Sequence, residues 1–308
     1  MDESIDAAAR EANRALLGRL PADRTLVMGI LNVTPDSFSD GGEHATVRAA
    51  VEHARRMVAE GADVVDVGGE STRPGARAVT PEEEQARILP VIEALLAEDV
   101  VVSVDTMHTA TARAALELGP VVINDVAGLT HEPDMPALVA ESGAPYILMH
   151  NRGNPQTMDG LAEYGNTVTD VVCELQSVAE TFLAAGVRPE QLIIDPGLGF
   201  AKAGEQNWEL LRGIEWLQAM GHPVLVAASR KRFLGSLLAA DGLEPAPLER
   251  DAATAAITAI ASALGAWGVR VHDVRASADA VRVGAAWRGT PMVGEPADVR
   301  GGADGIAA

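Results

Sequence analysis

The 308-residue chain predicts a single-domain (β/α)8 barrel, and three observations carry that prediction. Short Val/Ile/Leu runs at 26–33, 63–68, 101–105, 121–125, 146–150, 192–195, 224–228 and 269–274 recur along it, apolar on both faces as strands of a covered parallel sheet are. Between them lie stretches with helical apolar spacing, such as Val47, Val51, Ala54, Val58 and Val168, Val171, Leu175, Val178, Phe182. Gly61, Gly119, Gly143, Gly186, Gly221 and Gly268 fall where each helix should stop before the next strand. Eight such units within about 250 residues match the size of an eight-stranded α/β barrel.

The N-terminus begins acidic and carries no apolar signal core, and an extra helix is expected over residues 1–22, ahead of a barrel over 23–289. Residues 290–308, which bear Gly and Pro, read as a flexible tail. A doubly wound open sheet is the rival architecture. No G-x-G-x-x-G follows the first strand and no linker divides the chain, which favours the barrel. The uncharged run 252–269 approaches membrane-spanning length, but it is mostly Ala with Thr254, Thr258 and Ser262. Ile257, Ile260 and Leu264 recur in it at helical spacing, so it reads as a packed helix of a soluble domain.

Forty-four acidic against 24 basic side chains give a formal net charge of −20, which repels nucleic-acid phosphates and anionic lipid. A single cysteine, Cys173, excludes an internal disulfide framework and a multi-thiolate zinc site; beside an apolar stripe it reads as a structural thiol. A cytoplasmic location is expected. Of the 24 cations 22 are arginine, and the two lysines, Lys202 and Lys231, both fall just after predicted strands six and seven. In a chain that otherwise uses Arg, a retained Lys marks a place for a compact ammonium where a guanidinium fork does not fit. Lys231 in Ser229-Arg230-Lys231-Arg232 carries that reading better than Lys202, which an incidental surface position also explains.

Barrel chemistry sits on the loops at the C-terminal ends of the strands, and every predicted strand ends there in a polar group. In order they are Asn32 with the loop 34–42, the segment 68–75, Asp105, Asn124-Asp125, Met149-His150-Asn151, 195–200, 229–232, and Arg270 with His272 on alternate positions of strand eight. Each has a plain structural alternative. Asp105 and Asp195 suit helix caps, Asn124 a turn, Arg73 and Arg270 the surface, and His272 a hydrogen-bonded core position. Convergence of all of them on one rim favours a site.

These segments resemble the dihydropteroate synthase family of pterin-binding barrels. The matching stretches are MGILNVTPDSFSDGG (28–42), DVGGESTRPGA (66–76), VSVDT (102–106), INDVAG (123–128), DPGLGFAK (195–202), SRKRFLG (229–235) and RVHDV (270–274), in the family's order across about 25–288. The resemblance implies a homodimeric barrel that joins p-aminobenzoate to 6-hydroxymethyl-7,8-dihydropterin pyrophosphate, releasing pyrophosphate with magnesium (Mg2+) present. It implies pterin contacts from Asp105, Asn124, Met149, Asp195, Lys231 and Arg270. Pyrophosphate would meet Asn32, Thr72, Arg73, Arg270 and His272, with Asn32 helping to hold the metal. Phe38 and Pro74 would build the p-aminobenzoate pocket, and Lys231, Arg270, His272, Arg73 and Asp36 would carry the catalysis. The chemistry fits, because a carboxylate accepts two pterin N–H donors side by side and magnesium prefers oxygen ligands and phosphate. One departure stands at Arg232, where many members carry a serine that contacts the p-aminobenzoate carboxylate. Arg232 itself or backbone N–H groups of the following helix are the alternatives.

Two rivals remain. A pterin-dependent methyltransferase would share Asp195 and Asn124 but has no need of the 34–42 loop or of SRK. A non-catalytic pterin-binding paralogue would be expected to lack Arg73, Lys231 or His272, and all three are present. A metal hydrolase is disfavoured because His150 and His272 have no H-x-H or H-E-x-x-H partner.

Overall fold

The structure is a computed structural model, and the residues it describes are 5–34, 42–70, 79–154 and 156–289, with the side chains of 42–46 excepted. Eight parallel strands are present: β1 Leu26–Asn32, β2 Val64–Gly68, β3 Val102–Asp105, β4 Val122–Asp125, β5 Tyr146–Met149, β6 Leu192–Asp195, β7 Leu225–Val226 and β8 Gly268–Val271. They hydrogen-bond in the order β6-β5-β4-β3-β2-β1-β8-β7. An Ile194–Val224 bridge and a 2.8 Å bond from Ile194 N to Pro223 O close the ring between β6 and β7. The outer helices are α2 Gly42–Glu60, α3 Pro81–Leu96, α4 Thr109–Leu118, α5 Met135–Ser142, α6 Thr167–Ala184, α7 Gly204–Arg212, α8 Ile214–Gln218, α9 Arg232–Leu238, α10 Asp251–Ala263 and α11 Val274–Arg288, and a further helix, α1 Ala7–Ala15, precedes β1.

Local chemistry explains the boundaries. Thr80 caps α3 by accepting from Glu83 N, and Pro81 with three glutamates fills its first turn. Asn166 caps α6, and Asp273 caps α11 by accepting from Ala276 N at 3.1 Å. That last cap corrects the expected strand 269–274: β8 ends at Val271, so His272 stands just past the strand and Asp273 already serves the helix. The strand expected at 224–228 is only Leu225–Val226, because β6 pairs with this edge through a single bridge. Gly268 begins β8 and does not end a helix; Gly265, at φ +81°, takes the left-handed position after α10. Cys173 lies exposed on α6 and is not a packed structural thiol.

The barrel interior follows from strand parity. Met28, Val64, Val122, Ile147, Ile193 and Leu225 form an apolar floor, closed from below by Leu16 in a short 3-10 turn that follows α1. Two residues further along the strands the same face presents Asp66, Asn124, Met149 and Asp195, because Cβ atoms two apart in a strand share a side. The site is therefore a polar layer on an apolar floor. A larger core packs the outer strand faces against the helices. Leu16 is 1 % exposed, so Leu16→Ala should cost about 2–5 kcal/mol in a denaturant titration through the cavity left beneath the floor. Substrate KM values should hardly change, since the polar layer lies above it.

Candidate active site

Arg270 on β8 is the hub of the polar layer. Its Nε donates to Asp66 Oδ2 at 2.6 Å and one terminal nitrogen to Asp105 Oδ2 at 2.5 Å. Asn124 Nδ2 reaches the same Asp66 carboxylate at 3.2–3.3 Å, which leaves the amide oxygen of Asn124 as an acceptor. Gly68 makes room for this arrangement: a Cβ there would sit 3.3 Å from that of Asp105. Burial pushes the Asp105 carboxyl up to about 7 against the opposing pull of Arg270, with the like charge of Asp66 adding to the rise. For Arg270, burial opposes the charge, but Asp66 and Asp105 outweigh it and hold the guanidinium firmly cationic.

Asp195 ends β6 beside Met149, its register partner on β5. Its Oδ1 accepts from Gly197 N at 2.7 Å, and among the described residues Oδ2 meets no hydrogen-bond donor. Burial raises its pKa, opposed by Lys231. Lys231 immediately precedes α9 and follows Arg230, which adopts a left-handed φ of +59°. That turn sends neighbouring side chains opposite ways. Arg230 pairs with Asp251 at 2.7 and 2.8 Å, outside the pocket, while Lys231 Nζ contacts Leu198 O and lies 4.8 Å from the Phe200 ring centroid. Burial lowers Lys231 to about 8, although Asp195 favours its charged form.

The hydroxyl of Ser229 accepts from His272 N at 3.2 Å and stands 2.9 Å from His272 Nδ1. We assign its hydrogen to that Nδ1 contact, so that Nε2 of a neutral His272 is a donor. Asn32 ends β1 in register with Gly68, with its side chain half-buried. Arg232 is 66 % exposed and pairs with the exposed Asp159 at 3.0 Å. Asp36, Phe38, Thr72, Arg73 and Pro74 lie outside the described residues. The helix-cap alternative does not hold for the two aspartates: Asp105 binds Arg270, and α4 and α7 begin at other residues. Of the pair Asn124-Asp125, only Asn124 faces the layer; Asp125 accepts from Tyr146 Oη and Ala127 N, both at 2.8 Å.

The sequence alone gives Asp66 no role, and it offers Ser229 and Lys202 without their partners. Asp66 anchors both Arg270 and Asn124, and its signal is a lone acid in the apolar run VVDVG, two residues from Val64 and from Gly68. Ser229 orients His272. Lys202, which had an incidental alternative, is buried at 7 % exposure.

Residues 28–272 match the family described as pterin binding enzyme. The chain is 51 % identical to a dihydropteroate synthase of Mycobacterium leprae over 263 residues, which is 85 % of this chain and 93 % of that protein. It is 48 % identical to the dihydropteroate synthase of a Synechocystis strain over 267 residues, covering 86 % and 91 %. Among solved structures it is similar to the Xanthomonas albilineans dihydropteroate synthase with 4-aminobenzoic acid, at TM-score 0.79 and 44 % identity over 87 % of this chain and 95 % of that one. The same enzyme in complex with 7,8-dihydropteroate gives TM-score 0.78 and 41 % identity, covering 90 % and 99 %.

Proposed function

The chain belongs to the dihydropteroate synthase family of pterin-binding enzymes, and from that footing we propose how its own residues carry the reaction. The activity is a transfer: 6-hydroxymethyl-7,8-dihydropterin pyrophosphate and p-aminobenzoate give 7,8-dihydropteroate and pyrophosphate. The observation that supports our assignment best is the convergence of Asp195, Asn124, Lys231 and Arg270 from four different strand ends on one buried polar layer.

Asp195 accepts from the pterin amino group and adjacent ring N–H, and Asn124 offers an amide oxygen beside it. Lys231 donates to the pterin carbonyl or ring nitrogen. Arg270, fixed by Asp66 and Asp105, lays its guanidinium plane on the ring, and Met149 supplies soft packing. The C–O bond between the pterin methylene and pyrophosphate breaks with its electron pair leaving on oxygen, and the dihydropterin ring shares the positive charge that develops. The p-aminobenzoate nitrogen then bonds to that carbon and releases one proton to solvent. His272, Asn32, Thr72 and Arg73 stabilise the departing pyrophosphate, Arg73 by charge. Asp36, Phe38 and Pro74 shape the second-substrate pocket.

A magnesium ion fits this donor set. Asn32 provides one hard oxygen, while the described residues contain no group of three His, Cys, Asp or Glu placed for a metal, so the remaining ligands would be pyrophosphate oxygens and water. When bound, it would neutralise charge on the leaving pyrophosphate. For the p-aminobenzoate carboxylate we assign Arg232, which would exchange its exposed partner Asp159 for the substrate. We assign a homodimer built on α10 and α11. They carry the exposed i,i+4 pairs Ile260/Leu264 and Val283/Trp287, with Trp287 85 % exposed, an apolar face suited to a second copy. One exposed, unpaired cysteine suits a reducing compartment, and we place the protein in the cytoplasm. No helix among the described residues is long and apolar enough to cross a membrane.

The test supplies pterin pyrophosphate, p-aminobenzoate and Mg2+ and measures pyrophosphate release. Turnover is expected; tight pterin binding with no product would instead identify a non-catalytic binder.

A further inference from the structure

The chain's other lysine, Lys202, has no part in the scheme above, yet it is more deeply buried than Lys231. Each N–H of the Lys202 ammonium has an acceptor: His150 Nδ1 at 2.9 Å, Phe200 O at 2.9 Å and, more distantly, His150 O at 3.4 Å. His150 is fully buried, and its Nε2 lies 2.8 Å from Glu174 Oε2 on α6. Glu174 also holds Arg152, whose guanidinium sits 4.0 Å from the Tyr164 ring centroid. Tyr164 Oη donates to Ala201 O at 2.9 Å, one residue before Lys202. The contacts therefore run in a closed ring: Lys202, His150, Glu174, Arg152, Tyr164, Ala201.

The proton arrangement follows. Glu174 is an acceptor, so His150 Nε2 carries the hydrogen and Nδ1 accepts from Lys202. Burial, with Lys202 beside it, pushes His150 down to about 4, so the ring stays neutral at ordinary pH.

What this ring closes around is the loop from Asp195 to Lys202. Gly197 lies so close to β5 that a Cβ there would stand 1.8 Å from His150 O, and His150 N donates to Asp195 O at 2.8 Å. Midway along the loop Leu198 O receives Lys231. At its far end Ala201, fully buried, holds a left-handed φ of +47°, which a non-glycine residue keeps only when its surroundings enforce it. Burial pushes the Lys202 amine well below the usual lysine range, opposed chiefly by the nearby Asp195 carboxylate, whose charged form Lys202 favours in turn.

We infer that Lys202 is a positioning residue for the pterin half of the site: through His150 it fixes the 196–202 loop so that Asp195 and Lys231 keep the spacing that one pterin ring requires. This rests on the pterin assignment of Asp195 and Lys231 made above. A Cβ at Gly197 would stand 3.3 Å from Lys202 Nζ and 1.8 Å from His150 O, a confined space that suits a compact amine better than a planar guanidinium fork.

The experiment compares wild type with Lys202→Met, which keeps the length and loses the donors. Steady-state kinetics in both substrates, calorimetry with the pterin pyrophosphate alone and 15N NMR of the histidines are the readouts. In Lys202→Met the KM and Kd for the pterin should rise roughly tenfold, the scale of one lost hydrogen bond, with KM for p-aminobenzoate within about twofold. His150 should show the Nε2–H tautomer and no titration down to pH 5 in wild type, and should titrate at higher pH in the variant. A folded Lys202→Met with unchanged pterin KM and Kd overturns the inference, as does an equal rise in both KM values. If that variant does not fold, Glu174→Gln at the 27 % exposed end of the ring is used. A roughly threefold rise in pterin Kd supports the inference, and no change overturns it. Wild type that binds pterin without making product defeats the enzymatic reading, while the pterin Kd still decides the role of Lys202.

Discussion

Lys231→Arg should lower kcat/KM for the pterin pyrophosphate by about a hundredfold, ~2.7 kcal/mol at 1.36 per decade, although the charge is kept. The reason is shape. The lysine stem passes over Gly199, where a Cβ would come within 2.9 Å of Lys231 Cδ, and its Nζ reaches Leu198 O beside the Phe200 ring. A planar guanidinium on a longer stem displaces that loop or leaves the channel, and in either case the donor to the pterin is lost. A pH profile gives an independent check. Lys231 is brought down to about 8 chiefly by burial, so the ammonium is present below that pH and disappears above it. Wild-type kcat/KM should fall as pH rises through 8. In Lys231→Arg the guanidinium stays charged, and that alkaline limb should flatten at its lower level. Near-normal activity in the variant would sink the claim that a compact ammonium is needed there.

The contrast between Lys231 and Lys202 shows where a sequence stops being readable. Strands such as Val64–Gly68 and Leu192–Asp195 stand out because a covered parallel sheet demands apolar residues on both faces, a local and strong signal. Asp195 and Asn124 were visible because they end such strands. Strand ends themselves depend on competition: Asp273 reads as strand in RVHDV until its side chain caps α11. Asp66 was hidden because its role is set by Arg270, 204 positions away in the chain. Lys202 stood out as one of two lysines, but its role was not legible, since its partner His150 lies 52 positions away just past β5. Arg230, Lys231 and Arg232 look alike as neighbours in a basic cluster. The left-handed turn at Arg230 separates them, sending one to Asp251, one into the pocket and one to Asp159. Composition cannot report that separation, and a whole-chain charge of −20 is compatible with two cations meeting three aspartates in the barrel mouth.

The second large effect concerns stability and activity together. Arg270→Met should abolish measurable turnover and destabilise the fold by about 3–5 kcal/mol near neutral pH, because Asp66 and Asp105 lose the cation that both contact. The pH dependence distinguishes this from simple loss of packing. Asp105 is already pushed up to about 7 with Arg270 in place. Without the guanidinium its folded-state pKa moves further up, while the unfolded value stays near 4. A carboxyl whose pKa is raised in the folded state binds protons more tightly there, so stability is highest at low pH and falls as pH rises toward the folded value. Arg270→Met should therefore lie closest to wild type near pH 5 and furthest from it near pH 8 in denaturant titrations. Adding Asp105→Asn to the variant removes one unpaired carboxylate and should restore much of the stability at pH 8. It should not restore turnover, because the pterin ring then has no guanidinium stacked on it. Recovery of activity in the double variant would reduce Arg270 to a partner for two aspartates. A single variant as stable at pH 8 as at pH 5 would show that the two carboxylates find other compensation.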